Sequence, residues 1–205
     1  MLYAGAFFCG SAGAVIFLAA RRWLCEVFDI NRQLDSGDMT YGFAANPDET
    51  MMSKVEAKLN EMGVTIPDAP TPAANYLPFT QSGNLVFVSG QVPFVDGKLQ
   101  VTGTVGADAS LEDAQGQARI CAINLLAQLK VACGGDLDRV RQVVKLGAFV
   151  ASADDFHNQP TVVNAASDLM VDAFGEAGRH ARFAVGTNAL PLGCLVEIDG
   201  IFEIR

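Results

Sequence analysis

The chain has 205 residues, half of them hydrophobic, and carries a formal net charge of −9 at pH 7. This length suits one domain with a well-filled core plus an extension. From Ser53 onward, 17 Asp and Glu stand against 11 Lys and Arg, so the folded part is itself acidic. An acidic surface has no broad attraction to a phosphate backbone, which argues against a protein that binds nucleic acid.

The cysteines are odd in number and widely spaced: Cys9, Cys25, Cys121, Cys133 and Cys194. They form no CxxC pair and neither histidine, His157 or His180, stands near one, so we expect no zinc or other metal site. Reduced and mostly buried thiols in a cytoplasmic protein are the expected state.

Residues 1–50 precede the part of the sequence with globular patterning. Leu2–Ala20 is uncharged and is followed by two arginines. Such a run is long enough to anchor the chain in a membrane and would keep the domain cytoplasmic. Alternatively, residues 1–50 are a leader or an over-extended reading frame, because two methionines stand at its end. Its last part is rich in Asp, Asn and Gly and is typical of a linker. Under both interpretations the domain is expected to span residues 52–205.

Three stretches have helical periodicity and clear stop signals. Lys54–Met62 has one apolar stripe and ends at a glycine. Ser110 is a capping residue ahead of a long apolar pattern that runs to Ala132 and stops at a Gly-Gly pair. Thr161–Phe174 follows a proline and is also terminated by a glycine.

Alternation of apolar and polar residues predicts the strands. They are Tyr76–Thr80, Leu85–Ser89, Lys98–Val101, Arg139–Ala151, Arg182–Asn188 and Leu195–Ile204. The first two are joined by Ser-Gly-Asn, which indicates a hairpin. Two main helices on one face of a mixed sheet make an α+β layer, and this is the predicted fold class.

The last two strands carry charged residues that alternate with apolar ones. Arg182 precedes Phe183, and Glu197 stands between Val196 and Ile198. If the apolar faces pack on helices, Arg182 and Glu197 lie together on the sheet face that the helices leave free. A guanidinium beside a carboxylate suits a small anionic substrate, because arginine holds a carboxylate through two parallel hydrogen bonds. An Arg and a Glu on a solvated strand face is the alternative.

This region also carries a resemblance to a known family. The matching residues are Ala181-Arg182 with Val185, Leu190-Pro191, Val196 to Asp199, Asn84 to Gln91, and Asp168 to Phe174 with Asn164 ahead of it. In them the sequence resembles the reactive-intermediate deaminase family, RidA, also named YjgF or endoribonuclease L-PSP. The resemblance runs from about Lys54 to Arg205. It implies the chorismate-mutase-like fold and a homotrimer with sites between subunits.

The resemblance also implies the site residues. The family residue at Arg182 holds the substrate carboxylate, and the one at Glu197 lies near the attacking water. The remaining implied substrate-binding residues are Tyr76, Ser89, Gly90 and Asn164. The sequence departs from the family pattern at Phe183, at Ala184 and at Ala74-Asn75. These departures surround the expected pocket, so the identity of the substrate stays open.

The implied activity is that of an enamine/imine deaminase, which hydrolyses 2-imino acids to 2-keto acids and ammonia and needs no metal or organic cofactor. One alternative is a non-catalytic sensor that binds small keto or amino acids through the same Arg182. The other is an endoribonuclease, as the older family label suggests, although the acidic charge and the lack of a basic stripe with interleaved aromatics count against it.

Overall fold

A computed structural model describes residues 52–70 and 75–205. The leader, membrane anchor and linker considered for residues 1–50 lie outside these ranges. Within them, no helix combines the length and the apolar character needed to cross a membrane.

Three helices form where capping residues and glycines predicted them: α1 (Lys54–Glu61), α2 (Leu111–Ala132) and α3 (Gln159–Phe174). At the start of α2, the Ser110 hydroxyl accepts a hydrogen bond from the backbone N–H of Asp113, whose carboxylate accepts one from Ser110 N–H in return. Helix α3 begins two residues earlier than predicted. Pro160 lies in its first turn, where the missing N–H of a proline leaves no hydrogen bond unmade.

Five strands form one mixed sheet: β1 (Phe79–Ser82), β2 (Leu85–Gln91), β5 (Val140–Ala151), β6 (Ala181–Thr187) and β7 (Val196–Ile204). Their order across the sheet is β1-β2-β7-β5-β6, and only β5 and β6 are parallel. Helix α3 makes the crossover between these two strands, as parallel neighbours require. A small hairpin of β3 (Phe94–Val95) and β4 (Lys98–Leu99) stands apart from this sheet. The predicted α+β layer is confirmed.

Strand β1 starts three residues later than the sequence predicted. Tyr76 lies in a bend, and the strand begins at Phe79, directly after Pro78. A proline has no N–H to donate to a strand ladder, which accounts for the late start. Tyr76 is therefore a loop residue at the edge of the sheet.

The two faces of the sheet differ in what covers them. Helices α2 and α3 pack on one face, and a single apolar cluster joins them to the sheet. Its members include Val86, Val88, Leu146, Ile198 and Phe202 of the sheet, Leu125 and Leu129 of α2, and Leu169 of α3. The opposite face, here called the open face, keeps Phe87, Phe149 and Val185 exposed by 39%, 43% and 43%. Large apolar side chains exposed on three strands of one face are typical of an interaction surface.

Candidate active site

A cavity of about 330 Å³ lies where the segment before β1 meets β2 and the start of β7. Its wall includes Tyr76, Gly90, Gln91, Leu192 and Glu197, and it is largely apolar. A concave, mostly apolar pocket with a few convergent polar groups is the usual form of a small-molecule site. Of the six site residues proposed from the sequence, the cavity brings together Tyr76, Gly90 and Glu197.

Glu197 approaches the backbone of β2 at a β-bulge. The register between β2 and β7 shifts between Val88 and Gln91, so that β2 has one extra residue around Gly90. A methyl group built on Gly90 would overlap Glu197 Oε1. A larger residue at this position would therefore displace the Glu197 carboxylate.

The environment of Glu197 makes its carboxyl group harder to ionise than in water. Burial raises the pKa of Glu197, and the Asp199 carboxylate on the same strand face raises it further. Burial also raises the pKa of Asp199. Within residues 52–70 and 75–205 neither carboxylate forms an ion pair; the pairs found there are Lys130–Glu56, Arg141–Glu203 and Arg179–Glu176. A carboxyl group with a raised pKa in a cavity has the properties of a general acid or base.

Ser89 forms hydrogen bonds to the chain segment that contributes Tyr76 and Pro78 to the cavity wall. Its hydroxyl donates to the carbonyl of Leu77 at 2.8 Å, and its N–H donates to the carbonyl of Pro78 at 2.9 Å. The Ser89 side chain is absent from the described cavity wall. These two hydrogen bonds hold the segment that carries Tyr76 against β2.

Arg182 lies on the opposite face of the sheet from Glu197, and the expectation that both share the free face is wrong. Parallel pairing puts Arg182 beside the buried Leu146, on the helix-covered face. Glu197 pairs with the exposed Phe149 on the open face. Strand β5 separates β6 from β7, so the strand axes carrying Arg182 and Glu197 are roughly 10 Å apart. A single chain does not direct the two side chains at one ligand.

Helix α3 fixes the guanidinium of Arg182 at the edge of the sheet. Its N–H groups donate to Asn164 Oδ1 at 2.8 Å, to Ser167 Oγ at 3.0 Å and to the Pro160 carbonyl at 3.3 Å. The expected grouping of Arg182 with Asn164 is therefore found. All three acceptors are neutral, and no carboxylate of the described residues pairs with Arg182. Its positive charge stays uncompensated and partly solvated, as an anion-binding group requires.

Sequence reasoning missed Ser167, which links Arg182 to His180. His180 Nδ1 lies 2.6 Å from the Gly178 carbonyl, and His180 Nε2 lies 3.1 Å from Ser167 Oγ. With the ring hydrogen on Nδ1 donated to the Gly178 carbonyl, Nε2 accepts a hydrogen bond from the Ser167 hydroxyl, and the Ser167 oxygen accepts one from Arg182. The i, i+3 spacing of Asn164 and Ser167 on α3 was the available signal.

The thiols have the environment of core residues. Cys121, Cys133 and Cys194 are free and buried, as expected. Burial raises the pKa of Cys133 and of Cys194 to about 11, and it also raises that of Cys121. Thiols with such pKa values are poor nucleophiles at neutral pH. In the described part of the chain no three His, Cys, Asp or Glu side chains cluster as metal ligands would.

Comparison with known proteins shows to which family this chain belongs. Residues 56–203 match the family model described as "YjgF/chorismate_mutase-like, putative endoribonuclease". This chain belongs to the YjgF/RidA family. The mixed sheet with its helices on one face is accordingly the chorismate-mutase-like fold that the resemblance implied.

Three relatives illustrate the range of this YjgF/RidA family. Protein TCP17 of Trypanosoma cruzi is 45% identical over 153 residues, which cover 74% of this chain and 95% of that protein. The crystal structure of Atu1372 from Agrobacterium tumefaciens, a protein of unknown function, is 52% identical with a TM-score of 0.70, covering 74% of this chain and 92% of that one. The 2-iminobutanoate/2-iminopropanoate deaminase of Dermatophagoides farinae is 28% identical over 143 residues, or 69% of this chain and 95% of that protein.

Proposed function

We propose that this protein is an enamine/imine deaminase that hydrolyses 2-imino acids to 2-keto acids and ammonia. The observation that carries the proposal is Glu197, a carboxyl group with a raised pKa and no ion-pair partner in the described residues, on the wall of a largely apolar cavity. The name of the Dermatophagoides farinae relative supports the same chemistry for this family.

The reaction requires the protein to orient the substrate and to move protons between the water and the imine nitrogen. Water adds to the carbon of the C=N bond and gives a tetrahedral carbinolamine. Glu197 takes a proton from the water as it attacks and delivers it to the imine nitrogen, which completes the carbinolamine. It then takes the proton of the carbinolamine hydroxyl and passes it to the amino group, so that the C=O bond forms, the C–N bond breaks and ammonia leaves. Arg182 holds the substrate carboxylate and so fixes the imine carbon relative to the water. No electrons are transferred, so the residues named here suffice for the chemistry.

We further propose that each site is built by two copies of the chain in a homotrimer. Arg182 and Glu197 lie on opposite faces of one sheet, so a ligand that contacts both needs Arg182 from one copy and Glu197 from the next. The exposed Phe87, Phe149 and Val185 on the open face support a contact with another copy, because their burial would stabilise it. Glu197, which lines the cavity, lies next to Phe149 on this face.

Ammonia release tests the activity directly. An amino-acid oxidase generates 2-iminopropanoate in the assay, and the protein should accelerate its conversion to pyruvate and ammonia. Arg182→Ala should lower kcat/KM by about 100-fold or more, because two charge-assisted hydrogen bonds to the carboxylate are lost. Arg179→Ala is the matched control, since the one ion pair of Arg179 among the described residues is with the exposed Glu176. A protein that binds 2-keto acids without releasing ammonia would be a sensor, and the deaminase proposal would then be wrong.

A further inference from the structure

Helix α2 turns three buried amide side chains toward the loops beside the cavity: Gln117, Asn124 and Gln128, each at most 4% exposed. A buried amide is retained only where hydrogen bonds replace its lost water. Gln117 donates to the Val101 carbonyl and accepts from Leu195 N–H, so both of its ends are used. Asn124 donates to the Val92 and Phe94 carbonyls and thereby fixes part of the cavity wall.

Gln128 differs from Gln117 because only one end of its amide has a partner in the described residues. Gln128 Nε2 donates to the Pro70 carbonyl at 2.7 Å, and Oε1 receives no hydrogen bond there. The opposite amide orientation would set Oε1 against the Pro70 oxygen, which is also an acceptor, so the assignment is fixed.

Gln128 lines the cavity, and no donor among the described residues reaches its Oε1. Gln128 is 2% exposed and lines the cavity of Glu197, so its amide is buried at the cavity wall. An acceptor in this position is ready for a donor supplied by a ligand.

Gln91, on the sheet side of the cavity, also has an amide oxygen that receives no hydrogen bond from the described residues. It is 8% exposed, donates from Nε2 to the Ser89 carbonyl at 2.9 Å, and has no donor to its Oε1 among the described residues. The rest of the wall offers few donors, because Pro70, Pro78 and Pro191 have no backbone N–H. The cavity is therefore apolar along its length and carries acceptors.

The size of the cavity agrees with a side chain longer than methyl or ethyl. Its volume of about 330 Å³ corresponds to roughly ten water molecules. The imines of alanine and 2-aminobutyrate would fill only part of it and would leave Gln128 Oε1 without a partner. An unpaired buried acceptor lowers the affinity for such ligands.

We propose that Gln128 is a specificity-determining residue, and that the protein takes 2-imino acids with an apolar side chain that ends in an O–H or N–H donor. The proposal rests on the deaminase function proposed above. The ligand carboxylate is held by Arg182, the imine carbon lies at Glu197, and the side chain extends along Phe94 to the amide of Gln128.

Two pairs of substrates that differ only in the terminal donor test this proposal. Homoserine and norvaline make the short pair, and tyrosine and phenylalanine make the long pair; an amino-acid oxidase converts each to its imine. In one pair at least, kcat/KM for the donor-bearing imine should exceed that of its analogue by roughly tenfold. In Gln128→Met this ratio should fall to about one. Gln115→Met on the same helix should keep the wild-type ratio, since the side chain of Gln115 donates to the Thr161 carbonyl and does not line the cavity.

Binding of the corresponding 2-keto acids, measured by calorimetry, gives a second readout that does not depend on turnover. Dissociation constants should show the same preference and the same loss in Gln128→Met. If imines are hydrolysed but both pairs give ratios near one, or if Gln128→Met keeps the preference, the Gln128 proposal is wrong and the deaminase proposal stands. If no imine is hydrolysed but the keto-acid preference depends on Gln128, the deaminase proposal is wrong and the side-chain pocket stands.

Discussion

If Arg182 and Glu197 of one site come from different copies, the activity of trimers that contain two different variants can be predicted. In a ring of three copies, each site takes Glu197 from one copy and Arg182 from the next. Arg182→Ala and Glu197→Gln should each retain less than about 1% of the wild-type activity as pure assemblies. A mixed trimer contains one boundary at which the Arg182→Ala copy supplies Glu197 and the Glu197→Gln copy supplies Arg182. This holds for both mixed compositions, so each mixed trimer should have about one third of the wild-type activity.

The assay requires mixed assemblies free of the pure ones. The two variants carry different affinity tags, are co-expressed, and are purified through both tags in succession before ammonia release is measured. Co-expression of two differently tagged Arg182→Ala chains is the control and should stay inactive. If doubly tagged mixed assemblies have only the residual activity of the single variants, the two residues do not share a site across a subunit boundary. That result would refute the inference drawn from the opposite faces of the sheet.

Two further substitutions probe Glu197. Gly90→Ala should lower ammonia release at least about tenfold while the protein still assembles, because the added methyl group displaces the Glu197 carboxylate. Its matched control is Gly116→Ala in helix α2, where nothing lies within 4 Å of the added carbon; this variant should keep full activity and gain about 0.5–1 kcal/mol in free energy of unfolding, measured with urea. A fully active Gly90→Ala protein would contradict the role of Glu197. Asp199→Asn removes a negative charge that raises the pKa of Glu197, so this pKa falls and the acidic limb of kcat/KM against pH moves to lower pH. An acidic limb that stays in place or moves up would show that Glu197 is not the titrating base.

The helices and most strands were predictable because local signals specify them. The reciprocal hydrogen bonds of Ser110 and Asp113 begin α2, and glycines follow α1 and α3 where the periodicity stops. The long strand β7 alternates clearly and has one buried face. For such elements, capping and periodicity act in the same direction as tertiary packing.

The face on which Arg182 lies was not predictable from alternation. In β6 both sets of alternate residues contain apolar side chains, Phe183 and Val185 in one and Ala184 in the other. Parallel pairing with β5 decides between them, since it aligns Arg182 with the buried Leu146 and Phe183 with Gly147. The Phe183 ring then packs against Phe149 on the open face, with centroids 5.4 Å apart. Sequence periodicity carries no information about this register.

The burial of three amide side chains of α2 was also not predictable from the sequence pattern. Gln117, Asn124 and Gln128 interrupt the apolar pattern of the helix, and polar residues in a helix are normally assigned to its solvent side. All three lie instead between α2 and the loops around the cavity, and each bonds to a backbone carbonyl of those loops. The acceptors are distant in sequence, so no local pattern reports them.

In the described residues of one chain, Arg182 has no carboxylate partner and Glu197 has no cationic partner. The two groups carry opposite charges and could therefore complete one site. Arg182 is held by neutral acceptors and keeps its positive charge free of a carboxylate in the described residues, which costs little while it remains solvated. Glu197 and Asp199 lie on one strand face, where burial and mutual repulsion raise the pKa of Glu197. Association of two copies through the apolar open face would bring a free cation toward this acidic cavity. The substrate carboxylate would then neutralise Arg182, and Glu197 would remain free to exchange protons with water and the imine nitrogen. In this arrangement the same face that holds the trimer together also completes the catalytic group, which ties activity to assembly.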